Sequence, residues 1–320
     1  MNAKEFDQFY TQDDVAVMCM KHMESVMPGI GQGTVNDNFC ILEPSAGGGA
    51  FVRAAKAVEA FNNVPVFACD IDPHGEGIVY ADFLVDDISS RLPLGRRVVT
   101  VGNPPFGKKG KLASAFLNKS FQYSKTVGFI MPIQFNKFSG HNQIVPEAKL
   151  VLDERLPDNC FIFNGKSYSV RCCFQVWTID KTDLPDLRIR KSPRTKHPDF
   201  EMYQYNCTEE AAKFFDKDKY MWSFAVPRQG FKDFSIRETD PDKLDRRVQW
   251  IFFKGKNKSV TERLYKMDFV KLSHKNSTIP GFGKADVVEE YISLYPDSDI
   301  EHGAYSQDEL NFGAVSVLIQ

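Results

Sequence analysis

The chain has 320 residues, of which 42% are hydrophobic and 26% charged, with a formal net charge of −2. That length holds one large domain and a small one around ample buried core, and the composition excludes disordered, collagenous and disulfide-scaffold classes. No run of about 18 apolar residues exists to span a bilayer, and the polar, acidic start from Met1 to Asp7 lacks the order of a secretory signal, so a cytoplasmic protein is expected.

Through the first half, apolar runs of strand length alternate with helix-length segments, which predicts a mostly parallel sheet covered by helices. In chain order the pattern predicts a helix over Thr11 to Met27, a strand over Phe39 to Glu43 and a helix over Gly49 to Phe61. Strands follow at Pro65 to Asp70 and Val98 to Val101, a helix at Lys111 to Tyr123, and strands at Thr126 to Met131 and Val151 to Leu156. Cys160 to Phe163 and Ser167 to Ile179, joined through Asn164-Gly165, predict a hairpin, because Asn-Gly supplies the positive φ angles of a tight turn. This hairpin is expected to close the sheet with an antiparallel edge.

From Asp180 the pattern changes. Asp186 to Pro198 is rich in Arg, Lys and Pro and reads as a linker or exposed basic loop. Beyond it, strand-like pieces at Tyr220 to Pro227 and Val248 to Phe253 alternate with basic loops, and Ala285 to Leu294 predicts a helix. The expected division is residues 1–185 and a small α+β domain over residues 186–320. Charge follows the same division: residues 181–275 carry 22 Lys/Arg against 15 Asp/Glu, and residues 276–320 carry 1 against 8. The basic stretch suits a phosphate backbone; a solvated mixed-charge surface is the plainer alternative.

Seven cysteines, Cys19, Cys40, Cys69, Cys160, Cys172, Cys173 and Cys207, are scattered and mostly embedded in apolar runs, so reduced, buried thiols are expected. With no Cys-x-x-Cys pair and dispersed histidines, no metal site is expected.

Three motifs carry chemistry. Ile41-Leu42-Glu43-Pro44-Ser45-Ala46-Gly47-Gly48-Gly49 runs from a strand into glycines and a helix, which lets a ligand approach the backbone at the carboxyl end of the first strand. It lacks the Gly-Lys-Ser/Thr of a phosphate loop and the spacing of a dinucleotide fingerprint. Val66 to Pro73 is an apolar strand ending in acids, of which Asp70 is the first choice to accept hydrogen bonds from ribose hydroxyls and Asp72 the second. Asp82-Phe83 pairs an acceptor for an adenine amine with a ring to pack on it, or is a simple loop. Last, Val98 to Gly102 delivers Asn103-Pro104-Pro105-Phe106. The lone pair of an exocyclic adenine amine is delocalised into its ring. The side-chain carbonyl of Asn103 and the main-chain carbonyl of Pro104 can accept its hydrogens and localise that pair. Pro105 stiffens the turn, and Phe106 can stack on an extruded base.

In this order and spacing the chain, from about Phe6 to Ile179, resembles the S-adenosylmethionine-dependent amino-methyltransferases of DNA, in the group that methylates adenine and places its cofactor motifs before the catalytic one. The resemblance implies a Rossmann-like α/β domain with a seven-stranded sheet, followed by a target-recognition domain. It implies S-adenosylmethionine as cofactor, S-adenosylhomocysteine as product and duplex DNA as partner, with methyl transfer to N6 of a flipped adenine. By the same resemblance, Phe6 to Thr11 form the amino-terminal cofactor motif with Tyr10 and Thr11 in contact. Pro44, Gly47 and Gly49 match the glycine loop, Asp70 the ribose acid, Asp82 and Phe83 the adenine pair, and Asn103 to Phe106 the catalytic tetrapeptide, with Glu43, Ala46, Ile71 and Asn103 also expected against the cofactor. A second aromatic against the flipped base matches Phe163, with Phe161 as competitor.

Lys108, Lys109 and Lys111 are candidates to clamp phosphates, or belong to a solvated turn. Arg188, Arg190, Lys191, Arg194, Arg228, Lys232, Arg246 and Arg247 are candidates for phosphate or base contacts, with Gln229 attractive for adenine. The cytoplasm would be bacterial, or the host's for a viral enzyme, with or without a restriction partner; oligomeric state is open. The alternatives are an RNA adenine methyltransferase and an inactive nucleic-acid-binding module built on the same fold.

Overall fold

The computed structural model of the protein describes residues 10–29, 38–163, 165–274 and 279–300. The chain divides into two compact units between Ser192 and Pro193.

In the first unit a short strand, β1 (Tyr10–Thr11), leads into helix α1 (Asp13–Val26). Strand β2 (Phe39–Glu43) feeds helix α2 (Ala50–Ala57), followed by β3 (Val66–Asp70), β4 (Ile78–Tyr80) and β5 (Arg97–Gly102). Helix α3 (Lys111–Ser120), β6 (Thr126–Pro132), the short α4 (Phe138–His141), β7 (Lys149–Arg155), β8 (Phe161–Phe163), β9 (Lys166–Tyr168) and β10 (Cys172–Thr178) complete it. Seven strands form one sheet in the order β4-β3-β2-β5-β6-β10-β7. The chain builds outward from β2 to β4, then returns to the other side of β2 with β5, so a crevice opens where the direction of winding reverses. Every residue of β2 and β6 is buried, as strands must be when both faces are covered. One face packs on α1 and α2 through Met20, Met23, Phe51 and Phe174; the other packs on α3 through Phe116, Phe129, Phe135 and Trp177.

Three expectations give way here. Thr11 is not helical: Tyr10 and Thr11 pair with Ile162 and Phe161, and the helix starts at Asp13, where two acidic residues complement the amino-terminal dipole. The Asn-Gly hairpin does not close the sheet, since β8 and β9 join β1 in a separate three-stranded sheet. The chain beyond them becomes β10, which inserts antiparallel between β6 and β7. All seven residues of β10 are buried, a pattern that an interior strand satisfies and an edge does not. The third concerns the boundary, which falls at 192 rather than 185. Arg188 donates to the main-chain carbonyls of His141, Ile144, Val145, Pro146 and Ala148 at 2.6 to 3.3 Å, with its guanidinium 5.6 Å over the Trp177 ring. Arg190 pairs with Asp186 at 2.7 Å and donates to Pro146 and Ala148. So fastened, Asp186 to Arg190 is a strap of the first unit.

The second unit is built on an antiparallel sheet of β11 (Phe200–Tyr205), β12 (Phe224–Pro227) and β13 (Trp250–Gly255), in the order β11-β13-β12. Tyr220 ends the short helix α5 (Lys217–Tyr220), so the expected strand starts only at Phe224. Helices α6 (Lys258–Tyr265) and α7 (Phe269–Ser273) are capped by the side chains of Asn257 and Asp268. With α8 (Lys284–Leu294), they cover a core of Phe224, Phe253, Phe269, Phe282 and Tyr291. A second cluster holds Trp222, Trp250 and Phe252.

Candidate functional site

The turn after β2 needs its glycines. Gly47 and Gly49 take φ of +47° and +78°, in the left-handed region that side chains with a Cβ avoid. A Cβ on Gly47 would stand 3.1 Å from the ring of Tyr10, so β1 lays that ring directly on the loop. The same loop holds the end of β3: the Gly47 N–H donates to Asp70 Oδ2 at 2.7 Å and the Asp72 N–H to Oδ1 at 2.8 Å. Each carboxylate oxygen keeps a further lone pair for a ligand hydroxyl. After β4, Asp82 accepts from the Leu84 N–H at 3.1 Å, and Phe83 is buried against Phe116 with ring centroids 5.3 Å apart.

These elements enclose a cleft of about 290 Å³ at the carboxyl ends of the central strands. Tyr10, Thr11, Glu43, Pro44, Ala46, Gly47, Asp70, Ile71, Asp82, Phe83, Asn103 and Pro105 line it. Gly49, Pro104 and Phe106 stand beside the wall: Gly49 precedes α2, Pro104 is buried, and the half-buried Phe106 meets Phe161 edge-on at 6.3 Å. Phe161 itself is a core residue, and the side chain of Phe163, like residues Phe6 to Phe9, lies outside what the structure describes.

Several wall residues escaped sequence reasoning. Leu112 and Phe116 line the cleft from α3; their spacing of four predicts a shared face, but not which crevice that face meets. Arg53, on α2, is a cation in the wall and is already held by Asp13 through two contacts of 2.6 and 3.0 Å and by the Gly48 carbonyl at 2.5 Å.

The wall is otherwise acidic, with Glu43, Asp70, Asp72 and Asp82. Glu43 is 2% exposed, and its Oε2 meets no donor among the described residues. Burial, then the charge of Asp70, holds its carboxyl well above the usual carboxylate range. Burial also raises Asp70, against the pull of the two N–H donors. Burial, then Asp72 and Asp70, raises the Tyr10 phenol. Such a wall favours cationic groups and hydroxyls and opposes a pyrophosphate, even though a helix amino terminus stands nearby.

Past the tetrapeptide, Lys108 and Lys109 lie exposed on a tight turn. A Cβ on Gly107 would come 2.7 Å from Leu112, and one on Gly110 would collide with Phe135, so the turn is held by close packing. In the second unit, Arg228 donates to Gln249 Oε1 at 2.8 Å, burial lowering its pKa. Gln229 forms a bridge with Gly281. Arg247 pairs with Asp245 at 2.9 Å, Arg246 lies 5.2 Å over the Phe215 ring, and Lys191, Arg194 and Lys232 are exposed. Cys207 is exposed and the other six cysteines are buried, all of them free thiols. Among the described residues, no group of three or more His, Cys, Asp or Glu could hold a metal ion, and no helix is long and apolar enough to cross a membrane.

No family model and no curated protein sequence matches the chain. Among solved structures it is similar to the M protein of the type I restriction enzyme EcoKI, at 10% identity and a TM-score of 0.38, over 95% of this chain and 74% of that one. It is also similar to the 23S rRNA methyltransferase ErmE, at 15% identity and a TM-score of 0.35, over 55% of this chain and 71% of that one. Roles for individual residues rest on the cleft itself.

Proposed function

We propose that the protein transfers the methyl group of S-adenosylmethionine to N6 of an adenine swung out of duplex DNA. One observation carries this: Asn103 and Pro105 of the Asn-Pro-Pro-Phe turn line the same cleft as the acidic end of β3 and the ring of Phe83.

The wall fits the cofactor. S-adenosylmethionine brings an ammonium and a sulfonium against a single carboxylate, and the cleft answers with four side-chain carboxyls, one of them with a buried oxygen that finds no donor among the described residues. Tyr10, Thr11 and Glu43 would hold the methionine part, Asp70 or Asp72 the ribose hydroxyls, and Asp82, Phe83 and Ile71 the adenine. When bound, the cofactor supplies an electrophilic methyl.

Asn103 and the Pro104 carbonyl do the remaining work. By accepting the two amine hydrogens they draw the nitrogen lone pair out of the ring, while Pro104 and Pro105 hold both acceptors in place. Phe106, half-buried and buttressed by Phe161, offers a ring to the extruded base. Once the nitrogen has taken up that methyl, one of the two hydrogens held by Asn103 and the Pro104 carbonyl would leave to solvent, since neither carbonyl keeps a proton.

The test is transfer of labelled methyl to unmethylated duplex DNA, duplex RNA and single strands, with nucleoside mass analysis. N6-methyldeoxyadenosine is expected with DNA. In N103A, transfer should fall at least 100-fold, about the effect of removing one preorganised polar contact, while cofactor binding persists. Label in RNA alone overturns the DNA assignment, and undiminished transfer by N103A overturns the mechanism.

A further inference from the structure

The loop after β12 carries an aromatic ring that stands in solvent rather than in the core. Phe231 is 83% exposed, the most exposed aromatic side chain among the described residues, although a ring of that size is ordinarily among the first groups to be buried. Its mounting is firm. The Arg228 N–H donates to the Gln249 carbonyl at 2.8 Å, the Phe282 N–H to the Arg228 carbonyl at 3.1 Å, and the Gly230 N–H to the Pro280 carbonyl at 2.9 Å. Gln229 bridges to Gly281, and the Lys232 N–H turns back to the Gly230 carbonyl at 3.0 Å. Gly230 takes φ of +105°, a conformation closed to most residues, and Phe231 follows it at the tip of the turn. An amide, Gln229, and a cation, Lys232, flank the tip in the chain. The positive charge of Lys232 is felt at Asp245, which binds Arg247. The segment as a whole, residues 181–275, carries 22 basic against 15 acidic residues.

We infer that Phe231 is a wedge that enters the base stack of duplex DNA, with Lys232 on the adjoining phosphate and Gln229 on a base edge. The inference rests on the DNA reading above. A ring held in water by a braced loop gains a partner on both faces once it lies between bases, and stacking of this kind tolerates any sequence. Inserted apolar side chains part a base step and unwind the duplex locally. An enzyme that extracts a base has a use for that, because a parted step lowers the cost of flipping. Both the mounting and the flanking polar groups suit this role: main-chain hydrogen bonds tie the loop on either side of its tip, and the groups beside it match the edges and backbone that the ring would meet.

The test uses the full-length protein on a nicked, unmethylated plasmid that is resealed by ligase with the protein bound, the linking number being read by gel. Wild-type protein should lower the linking number in proportion to the amount bound. F231A should abolish most of that shift and bind the same plasmid roughly tenfold more weakly, while F231W should retain both. Because Phe231 is exposed, F231A should fold as the wild type does. A shift that persists in F231A at equal occupancy overturns the inference, as does a change in the sedimentation mass of DNA-free F231A, which would give the ring to self-association. Labelled methyl entering the plasmid without any topological change refutes the wedge and leaves the enzyme standing; no binding and no incorporation by wild type removes both.

Discussion

Arg188 was expected among the phosphate contacts, and its surroundings give it a different task that can be measured. Replacing it with methionine keeps an apolar stem and deletes the guanidinium that lies over Trp177 and bridges five main-chain carbonyls between His141 and Ala148. Two nitrogens serve those five acceptors, so they amount to about two or three full charge-assisted bonds, each worth roughly 1.5–2 kcal/mol. Arg188 is only half-buried, and solvent can partly replace what is lost, leaving a cost of about 3 kcal/mol. Lysine should recover little of it, because a point charge cannot span the fan of carbonyls. Trp177 is the reporter: in a W222F/W250F background it is the chain's last tryptophan, so urea titration of its fluorescence follows the first unit by itself. R188M is expected to lower the unfolding midpoint clearly, with DNA affinity unchanged where the protein is folded. An unshifted midpoint, with DNA binding weakened and its salt slope reduced by about one ion, would falsify the strap and return Arg188 to the phosphates.

Two further outcomes are expected. G47A places a Cβ against Tyr10 at a φ of +47°, costing about 1–2 kcal/mol for the left-handed conformation; equilibrium dialysis should show S-adenosylmethionine affinity down at least tenfold, and unchanged affinity would remove Tyr10 from the cofactor site. The raised carboxyl of Glu43 keeps its proton in the folded, ligand-free protein at pH values where the unfolded chain has lost it. The stability this contributes is complete below the ordinary carboxylate range and is lost as pH rises through the raised value. A cationic ligand prefers the ionised form, so binding of S-adenosylmethionine should strengthen with pH across that window and release a proton, as calorimetry in buffers of different ionisation enthalpy can detect. E43Q should flatten the profile; an identical profile in E43Q would assign the titration elsewhere.

The parallel half of the sheet could be read from the chain because its strands are mainly apolar and end where the chain changes character: Glu43 before the glycines, Asp70 before Asp72, Gly102 before Asn103. β4 could not, since Val79 and Tyr80 are exposed at a sheet edge and three residues make no periodic signal. The hairpin misled for a related reason. β8 and β9 do pair as a hairpin, but a turn does not say which sheet its strands join, and the apolar run from Cys172 to Thr178 does not say in the sequence which two strands it will lie between. Within the site, the motifs identified the walls contributed by loops. Arg53, Leu112 and Phe116 come from helices, where a residue reaches the cleft only through the packing of the whole element. The charge count likewise could not separate arginines that face solvent from Arg188, Arg190 and Arg228, which the fold spends on its own carbonyls and amides.

The place of β10 bears on how the molecule is made. Cys172 to Thr178 pair with Thr126 to Pro132 on one side and Lys149 to Arg155 on the other, so the last strand of the sheet to be synthesised is also the one that joins β7 to the rest. Until residue 178 has left the ribosome, β6 and β7 each present an unpaired edge rich in apolar side chains, the arrangement most prone to pairing with a foreign strand. A nascent chain of this protein therefore passes through a vulnerable interval of some fifty residues, from the completion of β6 to the arrival of β10. Fragments ending before Cys172 should need a chaperone to stay in solution, whereas those ending after Ser192 should not.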